Sequence, residues 1–283
     1  MKPTSFDSPV LNPPKNAQTG VFASLLRSSK TSTKPTSSRF RTKPFVKLSK
    51  KELKPHRSKQ WVIPPEHNPE FVYHMEQVLD LYHEPYDPDR PVVCFDESHK
   101  LLRDHEVDPL PARPGAVERV DHHYDRNGRR ELFMMSEPLT GWRHVEISES
   151  RDTEDWIKCM YQIADEHYPD ADCIRVVLDN LSTHKPEAFY EFFPPNEARQ
   201  YLDRFEFYFT PVHGSWLNMA EVEWSALGTE CLDRRIPDEE TLSDEITVWE
   251  EERNNRETSV DWQFTTDDAR IKLNQLYPVS ENS

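Results

Sequence analysis

Two short apolar runs in this chain stop at an acid in the same way. VVCF (92–95) runs into Asp96-Glu97, and VVL (176–178) runs into Asp179-Asn180. Apolar runs of this length, rich in β-branched residues, read as the buried parts of strands. Each aspartate is therefore placed where a strand leaves the core. A carboxylate at such a position costs stability unless a cation pairs with it or it coordinates a metal. Two strands that end alike restrict the fold to arrangements in which both ends can be useful together.

The rest of the pattern narrows the choice. Asn68-Pro69 opens a helix over 70–82, with Phe71, Met75, Val78, Leu79 and Tyr82 on one face, and the proline-rich HEPYDPDRP (83–91) ends it. After the strand at 92–95, ERVDHHY (118–124), the turn DRNG (125–128) and RRELFMMSE (129–137) read as a hairpin closed by Asn-Gly. GWRHVEIS (141–148) is a third strand of this meander. A helix capped by Thr153 follows to about His167, then the strand 172–178, helical stretches over 185–203 broken at Pro194-Pro195, and the strand FEFYF (205–209). Helices at about 217–232 and 238–253 complete the series. A meander followed by alternating strands and helices predicts an α/β fold with a mixed five-stranded sheet flanked by helices. That element order is similar to the ribonuclease H-like fold. In it the first strand and the strand after the first helix lie side by side and parallel, bringing Asp96 and Asp179 together.

A third acid is available in SWLNMAEVEWSAL (215–227). Glu221 falls in the first turns of a helix whose apolar stripe reads as Ala220, Trp224, Leu227 and Cys231. Glu223 is roughly 200° further round the helix and is expected on the solvated side. Several carboxylates at one sheet edge would repel unless divalent cations sit between them.

Charge is unevenly distributed. Residues 1–55 hold 12 Lys or Arg against two acids, a net of +10, and the chain total of −16 leaves −26 for residues 56–283. The basic part is expected to be a disordered tail (1–58) with salt-sensitive, sequence-independent affinity for DNA. A linker with one helix (59–90), the catalytic domain (91–256) and a C-terminal segment (257–283) are expected to follow. Cys94, Cys159, Cys173 and Cys231 form no CxxC pair and read as buried thiols in a reducing compartment. His122-His123 has no partner cluster for zinc. No apolar run is long enough to span a membrane, and the expected location is cytoplasmic, with the protein associated with the nucleoid of a prokaryote.

At this point the chain resembles DDE transposases of the insertion sequence 630 family, in the mariner-type superfamily. The blocks that carry the resemblance are RPVVCFDES (90–98), PLPARPG (109–115), DRNG with LFMM (125–135), GWRHV (141–145), VVLDNLSTH (176–184), FTPVHGSWLNMAEVEWSAL (209–227), CLDRRIPD (231–238) and DWQFTTDDARIKL (261–273). They run in order over about residues 50–278. The resemblance implies that Asp96, Asp179 and Glu221 are the catalytic, metal-binding triad. It also implies that Asn180, His184, His213 and Asn218 orient the triad or touch substrate, and that two Mg²⁺ or Mn²⁺ ions serve as cofactors. The implied activity is cleavage of DNA at transposon ends and strand transfer into target DNA at TA, by a homodimer assembled on DNA. Residues 1–50 lack the periodicity of the helix-turn-helix domain that such proteins carry at the front. The alternative is a truncated, non-mobilising remnant that retains the fold and at most binds DNA.

Overall fold

The structure, a computed structural model, describes residues 68–277 apart from 108, 111, 118 and 120. The basic tail expected over 1–58 and the start of the linker lie outside the described residues. The centre is a five-stranded sheet in the order β3-β2-β1-β4-β5. β1 (Val92–His105), β2 (Tyr124–Glu137) and β3 (Trp142–Ser148) form an antiparallel meander. β4 (Ile174–Asp179) and β5 (Phe205–Thr210) run parallel to β1. This is the mixed, ribonuclease H-like sheet that the element order predicts, with the first and fourth strands adjacent.

Alternation along each strand divides the interior in two. Val92, Cys94, Met134 and Val177 face one core, with α1 (Pro69–Tyr82), α5 (Ala220–Glu230) and α6 (Glu239–Asn255) packed over them. Val93, Phe95, Met135, Val176 and Leu178 face the other core. That side is covered by α2 (Thr153–Gln162), the short α3 (Phe189–Phe192) and α4 (Pro195–Asp203). The cap of α2 is Asp152, in a capping box with Asp155, one residue before the expected Thr153.

The expected Asn-Gly hairpin is not formed. β2 runs straight through Asn127-Gly128, and β1 extends ten residues past VVCF to pair with it. The register passes from Leu101↔Arg129 to Arg103↔Arg126, so Asn127 and Gly128 together oppose Leu102. This is a β-bulge, with Gly128 at φ 101°. A primed turn and a glycine bulge both require positive φ, so the dipeptide alone does not distinguish them. The reversal between β1 and β2 instead occupies the loop 106–123.

The helix expected in a linker is part of the core. Asn68 caps α1 by accepting from the Phe71 N–H at 3.0 Å, Pro69 stands at its start, and Phe71, Met75, Val78 and Leu79 are fully covered. Each such side chain contributes roughly 1.5–3 kcal/mol when buried. The C-terminal segment closes over the same helix. Trp262 packs against Tyr82, Ala269 of α7 (Thr266–Lys272) joins the cluster, and the Asn68 N–H donates to the Leu276 carbonyl at 3.1 Å. No helix among the described residues is long and apolar enough to cross a membrane.

Candidate active site

The β1–β4 register fixes the first two acids. Val92 pairs with Arg175 and Cys94 with Val177, and two residues further along both strands stand Asp96 and Asp179. Both lie on the face shared by Cys94 and Val177, on strands spaced about 4.8 Å apart. The Asp96 carboxyl is pushed up to about 7, first by burial and then by the charge of Glu97, with Asp179 and Glu221 adding to it. The charges of Asp179 and Glu221 therefore both reach Asp96.

Glu221 reaches that face because Asn218 ties its helix to the strand. Asn218 is buried, its Nδ2 donates to the Phe95 carbonyl at 2.7 Å, and its Oδ1 accepts from the Ala220 N–H at 3.1 Å. One side chain thus joins the residue before Asp96 to the residue before Glu221. Tyr82, at the end of α1, steadies the same segment by donating to the Leu217 carbonyl at 2.8 Å. Asn218 is therefore a positioning residue.

Glu223 is not on the solvated side. It is 3% exposed and lies on the buried stripe with Ala220 and Leu227. Arg253 holds it from both Nε and NH2 at 3.0 Å, and Arg143 Nε lies 2.8 Å from its Oε2. The i, i+3 step from Ala220 places residue 223 inward, and two distant arginines neutralise it.

His184 is fully buried, against Phe95 and Trp156 at ring separations of 5.6 and 5.8 Å. Its Nε2 lies 2.5 Å from Glu97 Oε1. Its Nδ1 lies 3.0 Å from the Asp179 carbonyl and 2.9 Å from Asp179 Oδ1. Burial disfavours the imidazolium, yet hydrogen bonds to Asp179 and Glu97 carry its pKa up to about 9. His184 therefore bridges Glu97 and Asp179, with one ring nitrogen against each. Asn180 and His213 are exposed, and His213 sits in the left-handed region at φ 67°. Glu97 is a site residue that the sequence reading misses. Its signal is the alternation that turns it from Asp96 toward the apolar core, where an acid needs a partner.

Hard divalent cations suit this donor set. His184 Nδ1 donates to the Asp179 carbonyl and also lies against Asp179 Oδ1, which leaves the second carboxylate oxygen of Asp179 without a protein partner among the described residues. Two carboxylates on one sheet face, one of them opposed in its ionisation by its neighbours, fit a cation with oxygen ligands.

No curated protein sequence matches the chain. Among solved structures the chain is similar to the Mos1 mariner paired end complex with Mn, at 12% identity and a TM-score of 0.44, covering 89% of this chain and 77% of that one. It is also similar to the Mos1 Strand Transfer Complex, at 12% identity and a TM-score of 0.46 over the same shares. Residues 91–243 match the family described as DDE superfamily endonuclease. That stretch is more than half of the chain and contains Asp96, Asp179 and the helix of Glu221, and on this ground the chain belongs to the DDE superfamily of endonucleases.

Proposed function

We propose that the protein is the catalytic core of a DDE transposase that cleaves DNA at transposon ends and joins the freed 3′ end to target DNA. The observation that supports this most directly is the β1–β4 register, which puts Asp96 and Asp179 on one sheet face, with the charges of Asp179 and Glu221 both acting on Asp96. Asp96, Asp179 and Glu221 would together hold two Mg²⁺ or Mn²⁺ ions. Bound there, the ions would lower the pKa of an attacking water or DNA 3′-hydroxyl and stabilise the departing oxygen. The side chains themselves hold and orient. His184 fixes the Asp179 carboxylate, Asn218 sets Glu221 against Asp96, and no covalent protein nucleophile is required. Cleavage and joining differ only in which hydroxyl attacks phosphorus. Assembly as a homodimer on DNA and insertion at TA belong to the same reading.

Calorimetric titration with Mn²⁺ and nicking of supercoiled plasmid test it together. The wild type is expected to bind Mn²⁺ in the low-millimolar range or tighter, roughly as a few-carboxylate site does, and to nick only with the metal. Equal binding by the Asp96→Ala, Asp179→Ala double variant would overturn the metal site. Binding without nicking would favour the second reading, a core that keeps the fold but no longer mobilises DNA.

A further inference from the structure

β4 ends at Asp179, so beyond Asp96 the β1 edge that β4 covers becomes free. The segment 232–236 lies along that edge, with the Arg103 N–H donating to the Ile236 carbonyl at 2.7 Å. Between them is a groove of about 490 Å³ whose lining includes His99, Lys100, Arg103, Asp233, Arg234 and Arg235. Arg234 is neutralised by Glu245. Lys100 spends its ammonium on the Leu232 and Arg234 carbonyls, at 2.6 and 2.9 Å, and Arg235 bonds the His123 and Asp121 carbonyls.

The rim adds more positive charge. Arg103, Arg126 and Arg235 gather on the single ring of Tyr124, at 4.6, 5.9 and 5.4 Å from its centroid. The Tyr124 phenol is drawn below its ordinary range, first by the hydrogen bond with Arg126 and then by the charges of Arg103 and Arg126. Among the described residues no carboxylate forms an ion pair with Lys100, Arg103, Arg126 or Arg235. Residues 56–283 carry a net −26, so acids are abundant in the chain and still are not paired here. Like charges crowded together without counterions are stabilised when an outside anion completes them.

We propose that this groove binds the sugar-phosphate backbone of the duplex whose scissile phosphate lies at the acid cluster. The inference rests on the nuclease reading above. Distance supports the assignment, because His99 to Arg103 are three to seven residues beyond Asp96 on one strand. That is roughly 10–23 Å at 3.3 Å per residue. Along one DNA strand, with a phosphate every 3.4 Å of helix axis, it corresponds to about three to seven base pairs. Arg126 is exposed and pairs with Arg103 across β1 and β2, and the groove lies at the edge of β1, so it takes side chains from both faces of the strand as it leads away from Asp96.

The test is fluorescence anisotropy of the full-length chain on a 30-base-pair duplex, at several salt concentrations and with EDTA. Arg103→Gln with Arg126→Gln is expected to weaken binding roughly tenfold or more near 0.1 M salt. The slope of log affinity against log salt should fall by about two, one for each phosphate that is no longer neutralised. Arg126→Gln alone, at an exposed site, should give about half of the slope change and guards against a folding defect in the double variant. Arg199→Gln, whose charge Asp203 already pairs, should change neither. An unchanged slope in the double variant, or an equal change in Arg199→Gln, overturns the proposal. So does a poly-glutamate peptide that binds the wild type as tightly as the duplex does and loses affinity equally, because that would assign the groove to an acidic protein. Nicking enters neither readout, so a chain that binds through the groove without cutting would overturn the nuclease reading alone.

Discussion

Glu221 and Glu223 stand two residues apart in the first turn of α5, and the protein supplies counterions to only one of them. Glu223 faces inward, where Arg253 grips it from two nitrogens and Arg143 approaches from β3. Arg253 also lies over the Trp249 ring at 5.5 Å, and the Arg143 NH2 donates to the Thr258 carbonyl. This network pins α5, α6, β3 and the C-terminal segment together. Glu221 adds its charge to that of Asp179 at Asp96, and among the described residues no ion pair neutralises Glu221 or Asp96. An acid whose role is the fold brings its own arginines. Acids gathered without such partners fit the proposed metal site.

The comparison can be broken most sharply through activity. Glu221→Gln is expected to lower metal-dependent plasmid nicking by at least about 10³, as for loss of a metal ligand at the reacting centre, with the melting temperature unchanged. If nicking persists in this variant and vanishes in a folded Glu223→Gln protein, the two glutamates have been assigned the wrong way round. Stability gives the next largest effect. Glu223→Ala leaves the buried Arg143 guanidinium without its carboxylate and Arg253 with only the longer contact to Glu230, and is expected to cost about 3–5 kcal/mol in denaturant unfolding. For a domain of this size that is a fall of roughly 10 °C in melting temperature. No loss of stability would mean that the arginines find solvent when Glu223 is removed.

The smallest effect is in pH. The Asp96 carboxyl is raised to about 7, so below that pH it holds a proton that a cation must displace. Mn²⁺ affinity is therefore expected to rise about fivefold from pH 6 to pH 7 and about twofold more before levelling off near pH 8, as read by calorimetry. In Asp96→Asn this proton-linked rise should be absent. A wild-type affinity that is flat across the interval would show that Asp96 ionises freely and that its neighbours do not oppose it.

The pairing of Asp96 with Asp179 is legible in the sequence because it rests on local signals. Apolar runs mark the strands, and their common ending sets the register once the strands are parallel. Asn218 stands out through the resemblance, but its reason lies in three dimensions, in a bond to Phe95 across 123 residues of chain. Glu223 is misplaced by a reading of its own helix because its neutralising arginines, Arg253 and Arg143, lie far off in the chain, and no periodicity of a single helix announces them. Glu97 escapes notice for the same reason, since its partner His184 lies 87 residues on. The Asn-Gly bulge differs. There the local chemistry does state a need for positive φ, but two backbone geometries meet that need and only the long β1 pairing chooses between them.

That bulge has a consequence for how the gene can change in length. Asp96, Lys100 and Leu102 lie at even steps along β1, so a one-codon insertion or deletion between Asp96 and Leu102 would turn everything beyond it to the opposite side of the sheet. Leu102, now buried, would exchange places with an exposed neighbour. β2 has already absorbed one surplus residue at Asn127-Gly128 without disturbing the register on either side of it. Among descendants of this gene, single-codon length variants are therefore expected at the bulge and in the loop 106–123, and selection should remove those that fall between Asp96 and Leu102.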